Sequence, residues 1–380
     1  MKIVVGIDAT NLRHGGGRTH LIELLRAASP DNNNFSSIIV WGSKSTLALL
    51  DDNYWLIKRN PSALDKGLLR RTFWQLFNLS FEARKECCDV LFVPGGSYAG
   101  NFRPVVTMCQ NILPFEWNEL RRYGYSLLSL KFFILRIIQS LSFRRSNGII
   151  FLSNSSMRSV GQIIDLSDLQ KVIVPHGLNP RFLSNELSDS NINSLKEGEP
   201  IQILYVSTID LYKHQWHVVE AISLARQKTG LDFRLLLVGS SYGPALNKLN
   251  RALMKYDPKG QWSQYLGQVS YDELHNHYAT AHIGIWASTC ETFGMILVEM
   301  MASGLPIFSS EQDPMKELLG ESGIYFDPEK PETLANAIIQ SFKASEKMQK
   351  IAFSAHQKAT EYTWERCADQ TFDFLRYISK

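Results

Sequence analysis

Short runs of aliphatic and β-branched residues, bounded by turn-forming residues, recur through the first half of the chain at Ile3–Ile7, Ser37–Trp41, Val90–Val93, Val105–Met108, Gly148–Leu152 and Val172–Val174. A second series follows at Ile201–Val206, Arg234–Val238, His282–Trp286 and Pro306–Phe308. Most runs are apolar at consecutive rather than alternating positions, the pattern of parallel strands covered by helices on both faces. Helix-length segments lie between them, among them Thr19–Ala28, His217–Lys228, Met295–Ala302 and Glu332–Ala344. Strand, helix, strand, repeated, predicts an α/β doubly wound architecture, formed twice.

The two series are separated by Ser184 to Pro200, SNELSDSNINSLKEGEP, which is Asn- and Ser-rich with almost nothing to bury. Residues 184–200 therefore read as a linker between a first domain over 1–183 and a second over 201–363. Ligands of such sheets bind outside the carboxyl ends of the strands, so a cleft between two such domains is the expected site.

A hydrophobic fraction of 44% with 20% charged residues is that of a packed globular chain and excludes disorder, collagen and coiled coil. The net charge of +3 conceals an asymmetry: bases exceed acids by nine from Met1 to Arg181, and acids exceed bases by six from Phe182 to Lys380. That division bears on partners and points the first domain toward an anionic one. Cys87, Cys88, Cys109, Cys290 and Cys367 are odd in number and form no CxxC pair, so neither a disulfide framework nor a zinc site is indicated. A reducing cytoplasm fits, and the strand that starts just after Met1 leaves no room for a signal peptide.

The most lipophilic stretch, Tyr123 to Phe143, is broken by Lys131, Arg136 and several serines and falls short of a membrane span. With Arg121, Arg122, Arg144 and Arg145 it alternates cations with aromatic and aliphatic residues. Two readings stay open. The segment lies in an anionic membrane interface, or it is a long core helix with a charged outer stripe. Nucleic acid is disfavoured, because the aromatics sit within apolar runs and no binding motif appears.

The segment from Ser288 to Pro306 carries the strongest chemical signal. Met295–Ala302 is apolar almost all the way round, yet Glu299 sits in its middle. A buried carboxylate is costly unless hydrogen-bonded, and two adjacent sugar hydroxyls, such as those of a ribose, would satisfy it. Glu291 in the preceding turn reaches another part of the same ligand. The amides of Phe293, Gly294 and Met295 are helix-start donors suited to a phosphate, and Gly294 lets the backbone approach. The alternative makes Glu291 a helix-dipole partner and Glu299 an internal ion-pair partner.

Glu291 and Glu299, followed by Met-Ala-Ser-Gly-Leu-Pro, resemble the E-x7-E signature of the retaining GT-B glycosyltransferases of family 4, also called glycosyltransferase group 1. The likeness continues through Asp313-Pro-Met-Lys-Glu-Leu-Leu-Gly and Tyr362-Thr-Trp364, and the loop Tyr205-Val-Ser-Thr-Ile-Asp-Leu-Tyr-Lys213-His resembles the one that supplies a phosphate-binding lysine. It covers about Ile201 to Trp364 and more faintly the first domain. One departure is that Ser207-Thr208 stands where Gly-Arg is common, so a second phosphate-binding cation is missing.

The resemblance implies a nucleotide-diphosphate sugar as donor. Lys213 would oppose the leaving phosphate, with Glu291 on a donor-sugar hydroxyl, Glu299 on the ribose, and Thr208 among the donor contacts. It also implies a last helix, 364–380, packed back on the first domain. There Gly15-Gly16-Gly17, between strand Ile3–Ile7 and a helix from about Thr19, corresponds to a glycine-rich loop bracketing donor phosphate and acceptor; it is neither GxGxxG nor a Walker motif. Gln110 and Asn111 occupy the acceptor-side loop where a His–Asp or His–Asn pair is common, so no acceptor base is assigned. His176 could look like a ligand, as could His275 and His277, but the latter two sit on a predicted surface segment, Tyr271–Ala281, and read as structural or solvated.

No Asp-x-Asp occurs, so no metal or cofactor is expected and the predicted reaction is metal-independent. The implied function is a retaining hexosyltransferase acting on a saccharide acceptor, lipid-linked, in surface polysaccharide or lipopolysaccharide (O-antigen) assembly. Such a protein would be cytoplasmic and peripheral on the inner membrane face. The competing readings are a GT-B epimerase or phosphorylase, or a non-catalytic sugar-nucleotide-binding subunit.

Overall fold

A computed structural model describes residues 2–183, 198–342 and 344–380. The proposed linker thus lies almost wholly outside the described residues. The chain forms two units: Met1–Trp117 with Tyr125–Gly177 and Tyr362–Lys380, and Leu178–Glu361 with Asn118–Gly124.

In the first unit seven parallel strands run in the order β3-β2-β1-β4-β5-β6-β7. They are β1 (Ile3–Ala9), β2 (Phe35–Gly42), β3 (Leu56–Arg59), β4 (Val90–Val93), β5 (Val105–Cys109), β6 (Gly148–Phe151) and β7 (Gln170–Ile173). The central strands β4, β5 and β6 are buried at every position, as their unbroken apolar runs require. The order reverses between β1 and β4, which opens a crevice at the carboxyl ends of those two strands.

The second unit repeats the plan with six parallel strands in the order β10-β9-β8-β11-β12-β13: β8 (Ile201–Val206), β9 (Phe233–Val238), β10 (Ser263–Tyr265), β11 (Ile283–Trp286), β12 (Ile307–Ser310) and β13 (Ile324–Phe326). Its reversal falls between β8 and β11, which pair directly through Ile283↔Ile203 and Gly284↔Leu204. At the end of β9, Gly239 has φ +145, and a Cβ there would lie 2.1 Å from the carbonyl oxygen of Ser207. That close approach sets the backbone that leaves β8.

Three strands have no counterpart among the predicted ones: β3, β10 and β13. All lie at sheet edges and carry partly exposed residues, so they lack the continuous apolar run that marks a covered strand. The helix expected from about Thr19 begins at Gly15 and runs to Ala27. The glycine triplet is therefore its first turn rather than a loop ahead of it, with Gly15 at φ +70. The final helix, Trp364–Ile378, belongs to the first unit: Phe372 packs on Phe35 with ring centroids 5.1 Å apart, and Asp369 accepts from Asn33 at 2.6 Å.

Helix Leu127–Arg145, capped by Ser126 accepting from the Ser129 amide, is not the core helix with a charged outer stripe of the second reading. Its inward residues are Gln139, Ser142 and Phe143, and its exposed ones include Leu127, Leu130, Phe133, Ile134, Ile137 and Leu141. No helix among the described residues is long and apolar enough to cross a membrane.

Candidate active site

Two loops leave the crevice-forming strands of the second unit. The loop after β8 turns at Asp210, whose carboxylate accepts from the Leu211 amide at 2.7 Å and from the Tyr123 hydroxyl at 2.8 Å, and whose carbonyl accepts from the Lys213 amide. The loop after β11 is tied across to it: the Thr289 amide donates to the Tyr212 carbonyl at 2.9 Å, and the Tyr205 hydroxyl donates to the Lys213 carbonyl at 2.6 Å. These ties place Lys213 against Glu291, and the ammonium donates to the carboxylate in an ion pair that is largely buried.

The Lys213 ammonium also lies 4.2 Å from the ring centroid of Trp286 and 5.1 Å from that of Tyr212. The electron-rich ring faces stabilise a cation that has lost most of its water. Burial next to these groups pushes the Tyr212 hydroxyl well above its ordinary range, so the site holds no anionic phenolate to compete for the lysine. His214, which follows in left-handed backbone at φ +52, is held neutral by burial, with its pKa down at about 3.

Glu299 lies on helix Met295–Ala302, which starts from Gly294 at φ +107 and connects β11 to β12. It is 3% exposed, and two hydroxyls donate to its carboxyl: Tyr278 at 3.1 Å and Tyr271 at 3.3 Å. Burial raises its pKa to about 7 despite those bonds. The Phe182 ring packs edge-on against both tyrosines, and the Arg181 guanidinium lies 5.0 Å over Tyr271. The two tyrosines come from the segment read as a solvated surface. Tyr278 is on helix Leu274–Thr280 and is buried with Leu274 four residues earlier, a spacing that is visible in the sequence and marks an inward face.

Thr208 is exposed, its hydroxyl 3.3 Å from that of Ser240, and its carbonyl accepts from Gln215 at 3.0 Å. Phe293 is buried and Met295 opens the helix after Gly294. Among the described residues no group of three or more His, Cys, Asp or Glu side chains is placed to hold a metal ion.

Residues 188–358, a span that contains Lys213, Glu291 and Glu299, match the family model for glycosyl transferases group 1. Over that span, a little under half of the chain, the sequence is similar to this family. O-antigen chain mannosyltransferase B of Escherichia coli is 26% identical over 175 residues, which are 46% of this chain and 45% of that one. Sulfoquinovosyl transferase SQD2 of Arabidopsis thaliana is 24% identical over 201 residues, 51% of this chain and 36% of that one. The matches thus span less than half the length of these curated relatives. Among solved structures, Anabaena HepE in complex with UDP and glucose aligns with 99% of this chain and 100% of its own at a TM-score of 0.69 and 17% identity. Sucrose-phosphate synthase from Thermosynechococcus elongatus aligns with 99% of both at 0.77 and 15%. The fold is that of the GT-B glycosyltransferases.

In the first unit, Gly17 and Gln110 come together: a Cβ on Gly17 would lie 2.8 Å from the Gln110 side-chain oxygen. Asn111 instead closes a local turn, accepting from the Leu113 amide at 3.1 Å. Asp8, at the carboxyl end of β1, is buried with Gln75 and the Thr10 amide donating to it, and burial raises its pKa. Nothing in its sequence context singled it out. His176 is structural, buried with its Nδ1 2.9 Å from that of His20 and beside Trp364. His275 and His277 are partly buried on helix Leu274–Thr280.

The expected membrane residues divide. Arg122 does not belong to the basic helix: it pairs with Glu119 and Glu329 and groups with the second unit, as does Arg121. Lys131, Arg136, Arg144 and Arg145 lie on helix Leu127–Arg145, and none makes an ion pair among the described residues.

Proposed function

We propose that the chain transfers a hexose from a nucleoside diphosphate sugar to a saccharide acceptor with retention of configuration and without a metal ion. The observation that carries the reading is the desolvated Lys213–Glu291 pair at the crevice of the second sheet, with Glu299 on the next helix. In the donor complex a diphosphate oxygen takes the place of the Glu291 carboxylate on the Lys213 ammonium. Glu291 is then released to accept from a hydroxyl of the donor sugar, and the start of helix Met295–Ala302, opened by Gly294, faces the remaining phosphate charge.

As the bond from the anomeric carbon to the diphosphate oxygen breaks, Lys213 meets the charge that develops on the leaving group. The sugar becomes oxocarbenium-like, and the acceptor oxygen bonds to the anomeric carbon on the face the diphosphate leaves. The acceptor's proton passes to the departing phosphate oxygen. Glu299, once deprotonated, accepts from the ribose hydroxyls where Tyr271 and Tyr278 now donate. The Gly17–Gln110 neighbourhood of the first unit is assigned to the acceptor, which we take to be a saccharide of a surface polysaccharide.

A specific observation favours a second reading, a sugar-nucleotide-binding subunit without transfer: Glu291 and Glu299 are both satisfied by protein partners. The two are separated by incubating the purified chain with UDP-, GDP- and ADP-sugars in EDTA and measuring nucleotide release with and without an extract of membrane saccharides. Release from one donor that survives EDTA and is lost in Glu291→Gln supports transfer. Tight nucleotide binding with no release from any donor refutes it.

A further inference from the structure

Helix Leu127–Arg145 buries two polar side chains beside Phe143: the Ser142 hydroxyl accepts from the Tyr98 amide at 2.9 Å, and Gln139 lies at Gly96. Its outward side is a stripe of Leu130, Phe133, Ile134, Ile137 and Leu141, at the three- and four-residue spacing of one helical face. Helix Leu68–Phe77 repeats the arrangement. Gln75 faces inward and donates to the Ser97 carbonyl at 2.9 Å, while Leu69, Phe73 and Phe77 face out, Leu69 at 85% exposure. Ser97 and Tyr98 are consecutive residues of the loop after β4, so both helices are anchored on that one loop. An exposed apolar surface of this extent on a chain with a well-filled core marks a binding face.

The charge around it identifies the occupant. No acidic residue lies between Asp65 and Glu82 or between Glu119 and Asp165, whereas Lys66, Arg70, Lys131, Arg144 and Arg145 are exposed. A second copy of the chain docked through this face by two-fold symmetry would set these cations against one another. We propose that the outer faces of helices Leu68–Phe77 and Leu127–Arg145 dock together on an anionic lipid bilayer, the apolar side chains entering the acyl boundary and the rimming cations pairing with lipid phosphates. The stripe is too short and too interrupted to span, which fits a helix lying in the interface. The inference does not rest on the proposed transfer reaction.

The test is co-sedimentation of the full chain with phosphatidylglycerol–phosphatidylethanolamine vesicles and with pure phosphatidylcholine vesicles at low and high salt. Binding is expected only to the anionic vesicles and should weaken with salt. Lys131→Gln with Arg144→Gln should lower the partition coefficient roughly 30-fold, and Phe133→Ser with Ile137→Ser about tenfold or more. Leu69→Ser with Phe73→Ser should weaken binding as well, which separates a two-helix surface from a single helix. Circular dichroism and binding of UDP or GDP, read without vesicles, should be unchanged in all three, since every substituted residue is exposed and lies in the first unit. Absence of binding to anionic vesicles at low salt, or binding unmoved by the substitutions, overturns the proposal. So does a dimer in solution that Phe133→Ser with Ile137→Ser dissociates while the wild-type chain ignores vesicles, because the face then belongs to self-association.

Discussion

Replacing Glu299 with Gln should stabilise the second unit at alkaline pH and leave it nearly unchanged at acid pH. An unfolded Glu titrates near 4.5, and in the folded chain burial lifts this carboxyl to about 7. Between those values the folded state binds the proton and the unfolded state does not, so stability falls as pH rises. Over about 2.5 pH units at 1.36 kcal/mol each, the cost approaches about 3 kcal/mol once the pH exceeds 7. Gln has the shape of the protonated acid, can accept from one tyrosine hydroxyl and donate to the other, and pays none of this. Native-state hydrogen exchange reads the effect locally, with rates on helix Met295–Ala302 and β11 normalised to the intrinsic exchange rate at each pH. At pH 4 the variant and the wild type should match closely; at pH 8 the wild type should exchange about two to three orders of magnitude faster. A difference that is the same at both pH values would refute the reasoning, because the carboxyl would then not be titrating in that interval.

Three further outcomes follow from other contacts. Lys213→Ala strips the buried Glu291 of its partner and the leaving phosphate of its cation, and turnover measured by nucleotide release should drop by about 10²–10³-fold, with Lys213→Arg recovering part of it. Gly239→Ala should cost the second unit about 2–4 kcal/mol in chemical denaturation, since its Cβ would meet the Ser207 carbonyl backbone at 2.1 Å in a left-handed conformation. His20 is buried with its pKa lowered to about 3, so the unfolded chain takes up a proton below about pH 6.5 that the folded chain refuses. The first unit should lose about 2 kcal/mol from this group between pH 6.5 and pH 5, and His20→Asn should flatten that slope in hydrogen exchange of helix Gly15–Ala27.

The sequence made the centres of both sheets legible and left their margins dark. Strands such as β4 and β11 are covered on both faces and announce themselves as unbroken apolar runs, whereas β3, β10 and β13 have an open edge and tolerate polar residues. Glu299 stood out because a carboxylate in an apolar helix demands an explanation. Its partners in the structure, the hydroxyls of Tyr271 and Tyr278, come from a neighbouring helix and the turn before it, which no local pattern tied to Glu299. The pairing of Lys213 with Glu291 is a property of strand order, since β8 and β11 are adjacent only because the sheet is wound outward from its centre. Helix Leu127–Arg145 shows the limit most plainly. The pattern says which residues share a face but not which face points inward, and here the face with Gln139, Ser142 and Phe143 is held in against Gly96 and Tyr98.

The return of the chain into its first unit has a consequence for biosynthesis. Gly148 leaves room for Phe374, and Gly177 for the backbone of Trp364, closer than any side chain would allow, so helix Trp364–Ile378 is an integral wall of that unit. The segment Leu178–Glu361 is made in between. At roughly 5–20 residues per second on the ribosome, the seven-stranded sheet waits on the order of 10 to 40 s with that wall missing and Phe35 uncovered. The six-stranded sheet has most of its own parts at hand and can close first. A nascent chain stalled or clipped near residue 360 should therefore present a sound second unit joined to an unfinished first one, and chaperone contacts should map to the earliest part of the sequence.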